Sequence, residues 1–172
     1  MLKPQDTLLL LKYWSMRRSG LHLSLRDLQE SIGISASEAS KGAKRLLAAK
    51  LLVERDKGLF AEQGALLEWL SYGVRYAYPV EKSGFGRGMP TAWNCNLVIS
   101  EMLPPSPPIV WEQARGSAEG VYIKPIYSSV LLAASKDEQL YLVLALVDAI
   151  RMGKPRELSI ARTLLERLVK ET

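Results

Sequence analysis

The chain has 172 residues, of which 48% are hydrophobic and 24% are charged, and its net charge is +5. This composition is typical of a globular protein with one sizeable core, or with a small domain and an appendage. It argues against a membrane span, because no apolar run approaches about 20 residues. The single cysteine excludes an internal disulfide, and together with the single histidine it leaves little for a zinc site.

The positive charge is concentrated in the N-terminal part of the chain. Residues 1–60 hold 11 basic and 6 acidic side chains, whereas residues 61–172 hold 12 of each. The whole basic excess therefore lies in the first 60 residues, which favours a polyanionic partner there. Charge alone leaves nucleic acid and a membrane surface open. The apolar patch at the N-terminus is too short for a secretory signal, so we expect a cytoplasmic protein with no membrane contact and no cofactor.

The first predicted helix runs from about Pro4 to Arg18. Proline suits the first turn of a helix because its missing N–H is not needed there. Leu8, Leu11 and Trp14 supply an apolar face. We expect this face to pack against the rest of the protein.

Two capped helices follow the first one. Ser24 and Asp27 form a variant of the capping box, and Ser35 with Glu38 forms a second. Gly33 can adopt the positive φ that ends a helix. Because only two residues separate the two helices, the sequence predicts a helix–turn–helix.

Polar and apolar side chains lie on opposite sides of the helix that begins after Ser35. At about 100° per residue, one stripe contains Ser37, Ser40, Lys41 and Lys44. The opposite side contains Ala39, Ala43, Leu46 and Leu47. An amphipathic helix normally shows charges of both signs to water, whereas this surface of small hydroxyls and cations suits close approach to an anion. A solvated surface helix stays open as the alternative.

A β-hairpin is predicted directly after this helix. The apolar pairs Leu52-Val53 and Leu59-Phe60 lie on either side of Asp56-Lys57-Gly58. A three-residue loop that ends in glycine is a common hairpin connection.

In this order, the elements resemble those of the winged helix–turn–helix transcription regulators, loosely the MarR-like group. The resemblance covers residues 4–75 and is carried by SLRDLQESIGISASEASKGAKRLLAAKLLVERDKGLF, with its capped helix, glycine turn, serine-rich recognition helix, leucine pair and wing. Two residues depart from the pattern. Lys50 stands where the family usually has glycine, and Gly42 lies inside the recognition helix, which implies unusually close helix packing.

The resemblance implies that the protein binds double-stranded DNA with the recognition helix in the major groove, where small side chains let the backbone approach the bases. The recognition helix then faces bases and phosphates, the start of the second helix holds a phosphate, and the hairpin flanks the minor groove. The predicted DNA-binding residues are Ser24, Arg26, Ser35, Ser37, Glu38, Ser40, Lys41, Lys44, Arg45, Arg55 and Lys57. Winged helices also serve as protein-binding modules, so a protein partner stays open.

The middle of the chain gives weaker signals. A helix is predicted to about Tyr72, then a short strand through Tyr78, and then a loop-rich segment with short strands near residues 96–100 and 120–125. Gly84, Gly86 and Gly88 do not match a nucleotide-binding loop, because Pro90 follows and no Gly-Lys-Ser/Thr is present; they predict a flexible turn. Cys95 is expected to be a small buried or half-buried side chain.

The C-terminal end is predicted to be helical again. One helix runs from about Lys136 to Met152, a Gly-Lys-Pro break follows, and a second helix ends near Lys170. The first of these is apolar on nearly every side, which is typical of a buried helix. Its cover could come from the N-terminal part, from residues 76–128, or from a second copy of the protein, and we expect a homodimer through the C-terminal half.

The sequence therefore predicts a mainly α protein with a small β component, divided into a winged helix–turn–helix domain over residues 1–75 and a dimerisation or partner-binding part over residues 76–172. We expect a DNA-binding transcriptional regulator, a dimeric repressor. The alternative is an interaction module that regulates or neutralises an effector protein in a toxin–antitoxin or phage-defence operon. No set of acid, base and nucleophile indicates an enzyme.

Overall fold

The computed structural model describes residues 1–19, 24–56, 58–96, 98 and 102–171. The fold is mainly α with a small β component, which confirms the predicted fold class. None of the helices in these residues is both long enough and apolar enough to cross a bilayer.

The N-terminal elements follow the predicted order. They are α1 (Pro4–Ser19), α2 (Leu25–Ile32), α3 (Ala36–Ala48) and an antiparallel hairpin of β1 (Leu52–Arg55) and β2 (Gly58–Ala61). The strands pair up to Arg55 and Gly58, so the loop between paired residues is two residues long instead of three. The predicted helices and hairpin are thus confirmed to within a residue or two.

A helical segment then continues past the predicted end at Tyr72. It consists of α4 (Gln63–Glu68), a π-helical turn (Trp69–Gly73) and α5 (Val74–Ala77). The predicted strand through Tyr78 is therefore wrong. Gly73 lies against the ring of Trp69 in the widened turn, where a β-carbon would collide with that ring, and this accounts for a glycine within the helical segment.

The middle segment forms a small closed sheet. Its strands are β3 (Lys82–Pro90), β4 (Ile109–Glu112) and β5 (Ala118–Ile123); β3 pairs antiparallel with both others, and β4 pairs parallel with β5. The flexible turn predicted at Gly84–Gly88 is wrong, since these residues lie in β3. The strand predicted near residues 120–125 is confirmed by β5.

Glycines permit this closed sheet because strands approach more closely than side chains allow. A β-carbon on Gly88 would overlap the carbonyl oxygen of Trp111, and one on Gly120 would overlap that of Pro108.

The strand predicted near residues 96–100 falls largely on residues outside those described, and Cys95, Asn96 and Val98 form a bend and turns. Cys95 is buried, as expected.

The centre of the molecule is α7 (Glu138–Met152), which α6 (Val130–Lys136) precedes and α8 (Pro155–Lys170) follows. Helices α1, α5, α6 and α8 pack around α7, together with a 3₁₀ turn at Ala92–Asn94. The prediction that this helix is buried is confirmed. Its cover comes from both halves of the same chain, so the apolar surface that led us to expect a second copy is already buried.

One hydrophobic core crosses the predicted boundary at residue 75. The core cluster extends from Leu8 on α1 to Val169 on α8. Lys12 Nζ and Ser15 Oγ on α1 both donate to Asp137 Oδ2 at the start of α7, at 3.2 and 3.1 Å. The two predicted parts therefore share their interior.

A buried ion pair fixes the closed sheet to α7. Asp148 Oδ1 accepts from Arg151 Nη1 at 2.7 Å, and both side chains are almost completely buried. Thr91 Oγ1 and Trp111 Nε1 donate to the other oxygen, Oδ2, at 2.9 and 2.7 Å. Burial raises the pKa of Asp148, and the charge and hydrogen bonds of its partners oppose that rise. Arg151 Nε also donates to the carbonyl oxygen of Tyr78 at 2.7 Å.

We expect Asp148→Asn to destabilise the fold by about 3–5 kcal/mol, because it leaves the guanidinium of Arg151 buried without a countercharge. Urea unfolding followed by circular dichroism measures the loss. Glu81→Gln is the matched control, since it removes a carboxylate from the solvent-exposed pair with Lys124 and should change the midpoint little. Equal shifts for the two variants would contradict a structural role for the buried pair.

Candidate nucleic-acid interface

The turn between α2 and α3 is built by local capping. Ser24 Oγ accepts from the backbone amide of Asp27, and Asp27 Oδ2 accepts from the backbone amide of Ser24 at 2.7 Å, which confirms the first capping box. Ser35 Oγ accepts from the amide of Glu38 at 3.3 Å. The second capping box is only half formed, because the carboxylate of Glu38 bonds elsewhere.

Two residues with positive φ bound this region. Gly33 has φ of +65° and donates its amide to the carbonyl oxygen of Gln29, so it ends α2 as predicted. Lys50, after α3, has φ of +58°. The winged-helix regulators that the sequence resembles usually have glycine at this position. Lys50 thus adopts the left-handed backbone conformation that glycine favours.

The inner face of α3 packs closely on α1. Ala39, Gly42, Ala43 and Leu46 are buried. A β-carbon on Gly42 would lie 2.9 Å from both Asp6 Oδ1 and Leu9 Cδ2 of α1. The close packing that Gly42 predicted is therefore confirmed, and this is why glycine stands inside the helix despite a cost of about 1 kcal/mol relative to alanine.

The outer face of α3 carries the predicted polar stripe. Ser37, Ser40, Lys41 and Lys44 are all exposed. Lys41 Nζ lies 3.5 Å from Glu38 Oε1 on the helix surface, and Lys44 has no carboxylate partner among the described residues. We call these four residues the α3 stripe.

Arg45 and Glu38 are partly buried and bond residues of α1, although Glu38 also pairs with Lys41 of the α3 stripe. Arg45 Nε and Nη2 donate to the two carboxylate oxygens of Asp6, each at 2.7 Å, and Asp6 is 1% exposed. These hydrogen bonds raise the pKa of the guanidinium. Glu38 Oε2 accepts from Gln5 Nε2 at 3.1 Å. Both side chains therefore bind α3 to α1, which differs from the phosphate and base contacts expected of them.

The remaining predicted residues lie on α2 and on the hairpin. Ser24 already bonds Asp27, and exposed Arg26 pairs with Glu30 at 3.2 Å. Arg55 is exposed on β1, with its guanidinium carbon 5.7 Å from the centre of the Phe60 ring. Lys57 lies outside the described residues. Ser24, Arg26 and Ser35 are exposed too, but each has a partner within its own helix or cap, whereas Ser37, Ser40, Lys44 and Arg55 are exposed without a carboxylate partner among the described residues.

Two residues that sequence reasoning missed also shape this surface. Asp6 of α1 fixes α3, and the only local sign of it was an acidic residue in a first helical turn. Ser129, just before α6, donates to the carbonyl oxygen of Ile32 at the end of α2, at 2.5 Å. No local pattern could relate residues that lie 97 positions apart.

No protein-family model matches the chain, and neither a curated protein nor a solved structure matches it. The described residues contain no group of three or more His, Cys, Asp or Glu side chains that could hold a metal ion.

We expect Gly42→Ala to destabilise the protein by about 1–3 kcal/mol, as overpacking of a core contact does. The same change in an open helix stabilises it by about 1 kcal/mol, so the sign of the effect reports the packing against α1. Thermal unfolding measures it, with Ser40→Ala on the exposed side of α3 as the control. A higher melting temperature for Gly42→Ala would contradict the close approach.

The capping box at Ser24 predicts a pH-dependent contribution to stability. The hydrogen bonds from the hydroxyl and the backbone amide of Ser24 lower the pKa of Asp27. Since its unfolded value is about 3.9, Asp27 stabilises the fold above that pH, and this stabilisation is lost as pH falls through the lower folded-state pKa. The difference in melting temperature between wild type and Asp27→Asn should be constant from about pH 5 to 8 and shrink below about pH 4.

The control for this prediction is a double-mutant cycle with Ser24→Ala. Removing the hydroxyl should reduce the effect of Asp27→Asn at neutral pH. An undiminished effect in the Ser24→Ala background would show that the capping bond is not its source.

Proposed function

We propose that the protein is a cytoplasmic winged helix–turn–helix regulator that binds double-stranded DNA through α3. The observation that carries this proposal is the α3 stripe: two small hydroxyl residues and two lysines, all exposed, on a helix whose other face is fixed by close packing. Major-groove readers need such a helix, because small side chains let the backbone approach the base edges.

The charge distribution supports DNA over a merely solvated helix. The whole basic excess of the chain lies in residues 1–60, and Lys44 is exposed without a carboxylate partner among the described residues. A helix adapted only to water normally shows charges of both signs on its outer face. On α3 two lysines face outward against a single carboxylate, the partly buried Glu38. One oxygen of Glu38 accepts from Gln5 of α1 and the other pairs with Lys41, so positive charge predominates on the outer face.

We assign different roles to the predicted DNA-binding residues. Ser37 and Ser40 contact bases, Lys41 and Lys44 contact phosphates, and Arg55 of the hairpin approaches the neighbouring groove. Arg45 acts as a positioning residue through Asp6. Ser24 and Arg26 lie at the start of α2 instead of on the recognition helix and bond acidic neighbours there, so we give them no primary contact.

The homodimer through the C-terminal half stays a prediction. The surface of α7 gives it no support, because that helix is covered within one chain. Specificity still favours two copies, because one recognition helix reads only a few base pairs, whereas a two-fold dimer reads two half-sites about 34 Å apart. The mass of the protein with and without operator DNA, from light scattering, decides between one and two copies.

Changing Lys41 and Lys44 together to Ala should weaken binding to every DNA sequence, because phosphate contacts carry no sequence information. The slope of log affinity against log salt should fall by about one unit for each lysine–phosphate pair that the substitutions remove. Fluorescence anisotropy with the DNA upstream of the chain's own gene measures both quantities. The control is Arg156→Ala with Lys170→Ala, which removes two exposed cations from α8.

If the control weakens binding as much as the Lys41/Lys44 variant, only net charge matters and the α3 interface is wrong. Ser37→Ala or Ser40→Ala should alter the preferred sequence more than the overall affinity. A selection from random DNA measures that preference. An unchanged preference in both variants would overturn base contact by the α3 stripe.

A further inference from the structure

A cavity of about 770 Å³ lies between α5, the start of β3 and the turn from α7 to α8. All of its lining residues come after α3 in the sequence. Its size is in the range of pockets that hold small organic ligands. Both apolar and cationic side chains line it, among them Trp93, Ile109, Met152, Arg75, Lys82 and Lys154.

Apolar side chains dominate the walls of this cavity. Trp93 and Ile109 are buried, and Met152 is half-buried. In contrast, Tyr76 and Leu103, which also line it, are 77% and 88% exposed. Large exposed apolar side chains beside a mainly apolar cavity are typical of a binding site, because packing within the fold does not account for their exposure there.

The charged side chains around the cavity are mainly cations. Arg75, Lys82 and Lys154 line it, against one carboxylate, Glu157. None of the three cations has a carboxylate partner among the described residues. The fourth cation, Arg151, is already neutralised by Asp148. The surroundings of the cavity are therefore complementary to a negatively charged group.

The wall of the cavity is preorganised by the buried ion pair. Arg151 donates to the carbonyl oxygens of Tyr78 and Pro79, at 2.7 and 3.3 Å, while its Nη1 holds Asp148. The segment that leads from α5 into β3 is thereby held in place along one side of the cavity. A preformed pocket binds its ligand without the ordering that a flexible one requires.

We propose that this cavity binds a small organic anion with an apolar body, such as a medium-chain carboxylate. The apolar walls take the body, and Arg75, Lys82 and Lys154 attract the acidic head. The site shares no residue with the α3 stripe, so it stands whether or not the protein binds DNA.

The test uses octanoate as the probe, octanamide as its uncharged analogue, and isothermal titration calorimetry on the full chain. Octanoate should bind at least about fivefold more tightly than octanamide, since only the anion gains from the cations. Lys82→Gln should weaken octanoate binding at least about threefold and leave octanamide binding unchanged. Lys82 is exposed, so the substitution should not disturb folding.

Arg156→Gln is the matched control, because Arg156 is an exposed cation between Lys154 and Glu157 that does not line the cavity. Octanoate binding should be unchanged in this variant. Leu103→Asp, at an exposed position, should weaken octanoate more than octanamide, because it places a negative charge beside the head group.

Three outcomes would overturn the proposal. If octanoate shows no saturable binding, the cavity is not such a site. If octanamide binds equally well, the cations do not select an anion. If Arg156→Gln weakens binding as much as Lys82→Gln does, attraction is general to the surface and the cavity plays no part.

Discussion

The carboxylate of Asp6 is buried against α3, and a buried charge is stable only when it is paired and hydrogen-bonded. Arg45 meets that requirement with two parallel hydrogen bonds from its guanidinium, and the backbone amide of Lys3 adds a third. This arrangement fixes both the distance and the rotation of α3 relative to α1. The pairing of Asp6 with Arg45 thereby determines which residues of α3 face solvent, and the exposure of the α3 stripe depends on this pairing.

The second half of the chain is organised by the same kind of interaction. Asp148 lies in the C-terminal part of α7, and the residues that satisfy it come from α7 itself, from β4 and from the turn that follows β3. These hydrogen bonds, together with the one from Tyr141 of α7 to the carbonyl oxygen of Pro90 in β3, give the contact between the closed sheet and α7 a directional preference that apolar packing alone lacks. The two buried carboxylates thus give each half of the molecule a defined orientation around a shared apolar interior.

The features that could be predicted from the sequence are those with local causes. Capping serines, Gly33 at a helix end and the alternation of small and charged residues on α3 are each decided within a few positions, and they predicted α1 to α3 and the hairpin. The α3 stripe was found for the same reason. Gly42 also carried a correct signal, since glycine inside a helix indicates a close neighbour.

The features that were missed have distant causes. Strand β3 shows no alternation of polar and apolar residues, because its glycines serve contacts with β4 and β5 that are 20 or more residues away. The pairing of Arg45 with Asp6 was not predicted, because the two residues are 39 positions apart. The cover of α7 could not be assigned for the same reason: a helix that is apolar on every side shows that it is buried, without showing by what.

The bond between Lys12 and Asp137 joins residues 125 positions apart, and this separation has a consequence for biosynthesis. Contacts between distant residues form late, because the intervening chain must first be ordered. A chain that emerges from the ribosome N-terminus first therefore presents α1 long before α7 exists to cover it. Until residues 138–152 have been made, the apolar side chains of α1 that meet α7 are exposed, and exposed apolar surface is what chaperones bind.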